Sequence, residues 1–259
     1  MNHSYIRGAS FPDLLLASLL RDMRTRFGRS YVSYVLAVGW PLVHLTIMFT
    51  MYVLTHKVAP IGDAPSVFAF TGLVPYVMCL YPARFVSWTI LQNRPLLNFP
   101  VVKPIHLIAA RAILEFMTAL LSLGIFVATL SMLNMATPPD NIYLVAETIG
   151  AVVFFSICFG FFGILLVATH ANFGTLCVIF SIIGLYLSSG AIVPLTLAPP
   201  VIQHILSFNP LFEAVGLMRS AYFSAYDASD YSLFYIYFLG FVFLLLGLIS
   251  ERLFRGIIM

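Results

Sequence analysis

Six separated apolar stretches, each about as long as a bilayer is thick, constrain this chain more than any other feature. A spanning helix needs about 20 apolar residues at 1.5 Å each. The stretches of that length run over 31–54, 66–91, 104–132, 142–168, 174–193 and 231–250. Composition points to the same solvent: 61% of the residues are hydrophobic, 9% are charged, and mean hydropathy is +1.00. A water-soluble domain of 259 residues needs more polar surface than this. The sequence therefore predicts one all-α integral membrane domain over 1–259. Its parts are an amphipathic N-terminal interface helix at 10–29, six transmembrane helices, and a re-entrant helix pair before the last span.

Charge asymmetry sets the expected orientation. Arg7, Arg21, Arg24, Arg26 and Arg29 precede the first span, Arg94 and Lys103 separate the second from the third, and Arg252 and Arg255 follow the sixth. Arg84 and Arg111 fall just inside the membrane on that same side. Lys57 and Arg219 remain for the opposite side, with Asp63, Asp140, Glu213, Asp227 and Asp230. The positive-inside rule then places both termini in the cytoplasm, as an even number of spans requires. The net charge of +3 follows from this asymmetry and does not suggest nucleic-acid binding.

The first thirty residues do not read as a cleavable signal: the run Leu14–Leu20 is short and no small-residue cleavage site follows it. Ser10-Phe11-Pro12-Asp13 instead reads as a helix start. At 100° per residue, Leu15, Leu16, Leu19, Leu20, Met23 and Phe27 share one face, with Asp13, Ser18, Arg21, Asp22, Arg24 and Thr25 on the other. Such a helix lies in the interface, either as an anchor on lipid phosphates or as a gate for an anionic headgroup. Arg26 projects near the apolar face, where a guanidinium needs an anionic partner. Cys79, Cys158 and Cys177 fall within spans in no metal-ligand spacing and read as small core hydrophobes.

Two segments outside the spans stand out. The stretch 93–103 is bounded by Pro95, Pro100 and Pro104 and carries Arg94 and Lys103. Leu96, Leu97 and Phe99 give it an apolar knob rimmed by polar groups, the usual mark of a docking surface. The stretch 194–230 is too apolar for a soluble loop and is broken by Pro194, Pro199, Pro200 and Pro210. It reads as two short helices that cannot cross the hydrocarbon, the second opened by an Asn209 cap and Pro210. Turns at membrane depth need a protein cover or a water-filled cavity.

This order of parts resembles the permease subunit of type-2 ABC exporters over essentially the whole chain. Local strings resemble the capsular polysaccharide export permeases of the KpsM type. They are the run from Arg21 to Ser30 leading to Trp40-Pro41-Leu42, Thr71-Gly72-Leu73-Val74-Pro75, Arg94 to Pro104, and Ala110-Arg111-Ala112-Ile113-Leu114-Glu115. Asn209-Pro210-Leu211-Phe212-Glu213 followed by Arg219 resembles the family's outer-helix signature. Where that signature has His and, three residues on, Glu, this chain has Glu213 and Gly216.

The resemblance implies a homodimer in a bacterial inner membrane, joined by two copies of a cytoplasmic ABC ATPase that carries the ATP and Mg2+. The 93–103 segment would be the coupling helix, with Arg94, Leu96, Leu97, Phe99 and Lys103 as contacts. It further implies periplasmic and outer-membrane export partners and a lipid-linked, usually anionic polysaccharide as cargo. The chain has no glycine-rich phosphate loop of its own, so it is expected to bind no cofactor and to catalyse no reaction.

Ionisable groups inside a membrane are functional candidates by default. Arg111 and Glu115 stand four apart on the third span, as a structural ion pair would. Arg84 lies beside Pro82 and near Trp88, and Tyr81, Phe85 and Trp88 share a face of the second span. A sugar conduit wants such aromatic faces, so Arg24, Arg26, Arg29, Arg84, Tyr81, Phe85 and Trp88 are the candidate substrate contacts; core packing explains the same stripe. An O-antigen, teichoic-acid or lipid/drug permease of the same superfamily is the alternative reading. An intramembrane lipid enzyme is a weaker one, because His44, His106 and His170 are scattered and no nucleophile motif accompanies them.

Overall fold

The computed structural model describes residues 10–27, 31–55, 64–192, 199–253 and 256, without the side chains of 25–27 and 31–37. Its helices are α1 (Phe11–Phe27), α2 (Tyr31–Thr55), α3 (Pro65–Ser87), α4 (Thr89–Leu97), α5 (Pro104–Met132), α6 (Ile142–Thr169), α7 (Ala171–Leu187), α8 (Pro200–Leu206), α9 (Pro210–Ser220) and α10 (Leu233–Leu253), with a 3-10 turn at Ala228–Asp230. No strand occurs among the described residues. The protein is an all-α membrane protein. Among the described residues five helical segments are long and apolar enough to cross a bilayer, 38–55, 65–97, 104–132, 142–169 and 228–253, or six if the bent pair α8–α9 counts as one. α7 is a shorter apolar helix, and α8 and α9 meet at 109°.

The bundle is built around α3, which is buried along nearly its whole length. In the most apolar 18-residue window of the 65–97 segment 94% of the residues are buried, against 17% in the corresponding windows of the segments carried by α2 and α10. Its closest neighbour is α6. The Ser156 hydroxyl of α6 donates to the Cys79 carbonyl, a Cβ on Gly160 would meet the Ala83 backbone at 2.5 Å, and one on Gly163 would lie 3.4 Å from the Ser87 Cβ. Small residues are what let two helices approach this closely where lipid offers no hydrophobic drive. On the other face of α6, Gly240 and Gly247 of α10 receive the rings of Phe154 and Phe161.

Two segments differ from the sequence expectation. The second span does not stop at residue 91: Trp88 makes a single turn of irregular backbone and α4 carries the helix on to Leu97. The fifth stretch ends as a helix at Leu187. Gly190 there adopts φ 76°, a left-handed conformation that favours glycine, and turns the backbone carbonyls of 190 and 191 inward. At 29 and 28 residues, α5 and α6 are about 43 and 42 Å long, well beyond the roughly 30 Å of hydrocarbon.

The bundle has two unlike ends. One gathers α1, α4, the 98–103 turn and the break at His170 between α6 and α7. The other gathers the 133–141 loop, α8, α9 and the approach to α10; there the N–H groups of Asp140 and Asn141 both donate to the Ala221 carbonyl.

Candidate functional site

At the first end α1 docks through its polar side. Ser18 and Asp22 are buried, whereas Leu16 and Leu20 are about half exposed, at 56% and 50%. The face that 100° spacing assigns to Ser18 and Asp22 is therefore the one that turns inward. The reason is a cation on the helix it meets. Arg111 of α5, 5% exposed, places its Nε 3.3 Å from Asp22 Oδ2 and its Nη1 3.7 Å from Glu115 Oε1. Its Nη2 donates to Gln92 Oε1 of α4 at 2.6 Å. One residue back on α1, Arg21 Nη1 donates to Asn93 Oδ1 at 2.7 Å, and Asn93 Nδ2 in turn donates to the Thr89 carbonyl. A guanidinium fork suits this work because its donors point in fixed, separate directions. The result is one polar node that ties the interface helix, α4 and α5 together.

The 93–103 segment is helical to Leu97 and then turns, with Phe99 N–H donating to the Leu96 carbonyl and Val102 N–H to that of Phe99. Arg94 Nη2 donates to the Ala168 carbonyl at 2.7 Å, covering an orphan acceptor at the C-terminal end of α6. Leu97 faces inward against the cluster of Val86, Ile90, Ile108, Phe161, Ile164 and Ala168. The knob of three apolar residues therefore reduces to a half-buried Leu96 and an exposed Phe99 at 60%. Lys103 is exposed, and its N–H donates to His106 Nδ1 at 3.1 Å.

The candidate substrate residues divide. Arg24 is exposed on α1; the side chain of Arg26 and all of Arg29 lie outside the described residues. Arg84 and Phe85 are half-buried, the guanidinium 6.0 Å from the ring centroid. Trp88 sits at the α3–α4 break with a buried indole N–H that no protein acceptor meets. Tyr81 is 6% exposed, and its hydroxyl lies 3.0 Å from His44 Nδ1 of α2. Tyr76 stacks on Tyr186 at 4.1 Å, edge-on to His44. So Arg84, Phe85 and Trp88 border the first end, while Tyr76 and Tyr81 belong to the interior packing. The tie of His44 to Tyr81 was not readable from a histidine isolated in sequence.

Arg219 holds the second end together. It is 1% exposed, and the charge is met by dipoles and π faces. Nη1 donates to the Gly190 carbonyl at 2.7 Å and to the Tyr226 hydroxyl at 3.3 Å, and Nη2 to the Ala191 carbonyl at 2.9 Å. The guanidinium carbon lies 4.0 Å from the Phe68 ring centroid and 5.7 Å from that of Tyr226. Asn209 does two jobs nearby: Oδ1 accepts the Leu211 N–H, starting α9, and Nδ2 donates to the Leu185 carbonyl at the end of α7. The departures from the family signature have a use here. Glu213 Oε2 accepts the Ser232 N–H at 2.6 Å, and a Cβ on Gly216 would lie 2.1 Å from the Tyr231 ring, so these two positions seat the start of α10.

No family model matches the chain. Two polysialic acid transport proteins KpsM of Escherichia coli are each 28% identical to it, over 239 and 240 residues, spanning 91% of this chain and 91% of each relative. By sequence, this chain is similar to KpsM-type permeases. The similarity covers 91% of the chain, so Arg111 and Arg219 both lie within it.

Proposed function

We propose that this permease is the membrane subunit of an ABC exporter that carries a polysaccharide out of the cytoplasm. The observation that carries the reading is the relationship to two polysialic acid transport proteins over 91% of both chains. In this reading the end bearing α1 and α4 faces the cytoplasm, as the clustering of basic residues favours. A homodimer receives two ATPase subunits there, with ATP and Mg2+ on those partner chains. Phe99, exposed at the tip of α4, enters a cleft on the ATPase, and Lys103 rims the contact. α5 and α6 are long enough to carry that contact clear of the headgroups.

The cargo is a lipid-linked, anionic polymer, passed on to periplasmic and outer-membrane export proteins. Arg24, Arg26 and Arg29 gather where the interface helix meets α2, and Arg84 stands near the same end on α3. Arginine grips phosphate or carboxylate in two places, which a compact ammonium cannot do. The unpaired indole N–H of Trp88 offers a donor to a sugar oxygen beside this cluster.

The test is polymer export in cells lacking the native permease, complemented by variants whose membrane insertion is checked by blotting. Phe99→Asp should insert normally, fail to retain the ATPase and accumulate polymer inside, because a carboxylate is costly in an apolar cleft. Arg84→Lys should retain the ATPase and lower export. Unchanged surface polymer in cells lacking the permease altogether would reject the polysaccharide assignment.

A further inference from the structure

We propose that an apolar crevice between α3, α5 and α6, at the end opposite the coupling helix, is a binding site for one acyl chain of a resident zwitterionic phospholipid. The crevice holds about 580 Å³, within the roughly 300–1,000 Å³ common for small-ligand sites. Its wall runs along α5 from Leu120 to Ser131, a rise of about 16 Å, or one leaflet of a hydrocarbon core about 30 Å thick. Polarity is graded along that depth. Leu120, Leu123, Gly124, Phe70 and Ile149 make the deep end, and Ser66, Ser131 and Thr137 stand at the mouth. A lipid has the same gradient.

The space is built into the fold. Gly124 has nothing within 4 Å of where its Cβ would be, so the absent side chain leaves open volume within the helix wall. The roof, 135–139, is fixed at both sides. Met135 N–H returns to the Leu130 carbonyl, Asn134 takes the left-handed φ of 55° that the turn needs, and Asp140 is bonded to Ala221. Phe70 is braced by Phe126 and Tyr222, which keeps the deep wall from collapsing inward.

The lining decides the occupant. An apolar hollow of this size does not hold water, and leaving it empty forfeits the dispersion contacts of every lining atom. Inside a bilayer the material at hand is an acyl chain. Among the described residues no Lys, Arg, Asp or Glu lines the crevice, so none of them favours an anionic headgroup there. None of the candidate cargo residues lines it either, which separates this site from the transport path and makes the chain a fixed ligand. The orientation proposed above serves only to name the leaflet, which is the outer one.

The experiment is photolabelling of the intact permease in vesicles of phosphatidylethanolamine and phosphatidylglycerol. The probe is phosphatidylethanolamine with a diazirine deep in one acyl chain. Label should concentrate on peptides covering 120–127 and 142–149, above the level at Phe180, which is exposed on α7. Gly124→Phe, which fills the hollow from its open point, should reduce crevice label to the Phe180 level. Ala146→Phe, from the opposite wall, should do the same if the first variant folds poorly by gel filtration. A diazirine phosphatidylglycerol should label the crevice no better than the ethanolamine lipid. Equal labelling of crevice and Phe180 in the unaltered protein would overturn the proposal. So would efficient disulfide formation between copies carrying Val127→Cys, which would give the crevice to a second copy of the chain.

Discussion

Two buried arginines hold the two ends of this protein, and they do it by opposite means. Arg111 sits between carboxylates, Asp22 at 3.3 Å and Glu115 at 3.7 Å, and reaches onto three helices. Among the described residues no carboxylate lies within 4.0 Å of Arg219, whose charge is spread over two backbone carbonyls, a phenol and two aromatic faces. The first arrangement joins separate elements that can shift as units. The second fixes one turn of backbone at Gly190–Ala191 against α9 and α3. The first end is tied side chain to side chain, and the second mostly side chain to main chain.

The strongest way to break this comparison is Arg111→Ala. It removes the Arg111 cation from the buried Asp22 and Glu115, and a broken buried pair costs about 3–5 kcal/mol. The expected outcome is a large fall in thermal stability in detergent and release of α1 to protease, with export lost. Joint replacement of Asp22, Arg111 and Glu115 by apolar residues of similar volume should regain most of the stability and leave export impaired. Stability and export recovering together would show that the node has no part beyond packing.

Arg219→Lys comes next. The ammonium keeps the charge but cannot donate to both carbonyls while lying flat on Phe68. Loss of charged hydrogen bonds and an unsatisfied carbonyl should amount to about 1.5–3 kcal/mol, seen as faster proteolysis in the 188–200 region. A lysine variant as stable as the parent would mean that charge alone suffices there.

Gly216→Ala is expected to cost about 1–3 kcal/mol, since the added methyl must displace the Tyr231 ring from its seat against α9. Tyr231→Ala in the same chain should cancel part of that effect, because it removes the group the methyl meets. Additive losses in a double-mutant cycle would contradict the packing described for the start of α10.

How much of this was legible in the sequence differs between the two ends for a physical reason. The helical membrane class followed from apolar length, because lipid demands internally satisfied backbones whatever the partners. The Asn209 cap followed from a local rule, and the structure shows its bond to Leu211. The partner of Arg111 on α1 did not follow. Helical periodicity places Asp22 on the side of α1 that carries Arg21 and Arg24, and only the docking of α1 on α5 turns that side inward. The inward turn of Leu97 was hidden for the same reason, since the cluster that receives it is assembled from α3, α4, α5 and α6. Nor could spacing reveal that Arg219 would be met by carbonyls, because those come from the turn at Gly190 and Ala191 beyond the end of α7, inside a stretch that reads as one span to Val193.

The smallest expected effect also discriminates most finely. Glu115→Gln removes the more distant of the two carboxylates facing Arg111 and leaves a group of nearly the same shape. Arg111 would keep Asp22 at 3.3 Å and the short bond to Gln92. The intrahelical pair at four-residue spacing is of a kind worth about 0.3–0.5 kcal/mol where exposed, and the 3.7 Å separation here keeps its share modest even when buried. A loss below about 1 kcal/mol is therefore expected, with export near the parental level. Asp22→Asn should cost more, because it weakens the charged contact from Asp22 on α1 to Arg111 on α5. The order of the two variants is the measurement: the same thermal scan on both reads it directly. If Glu115→Gln proved the more damaging, α5 would be holding Arg111 on its own. The node would then be a structural pair within one helix, and the interface helix would be free to move without carrying α4 along.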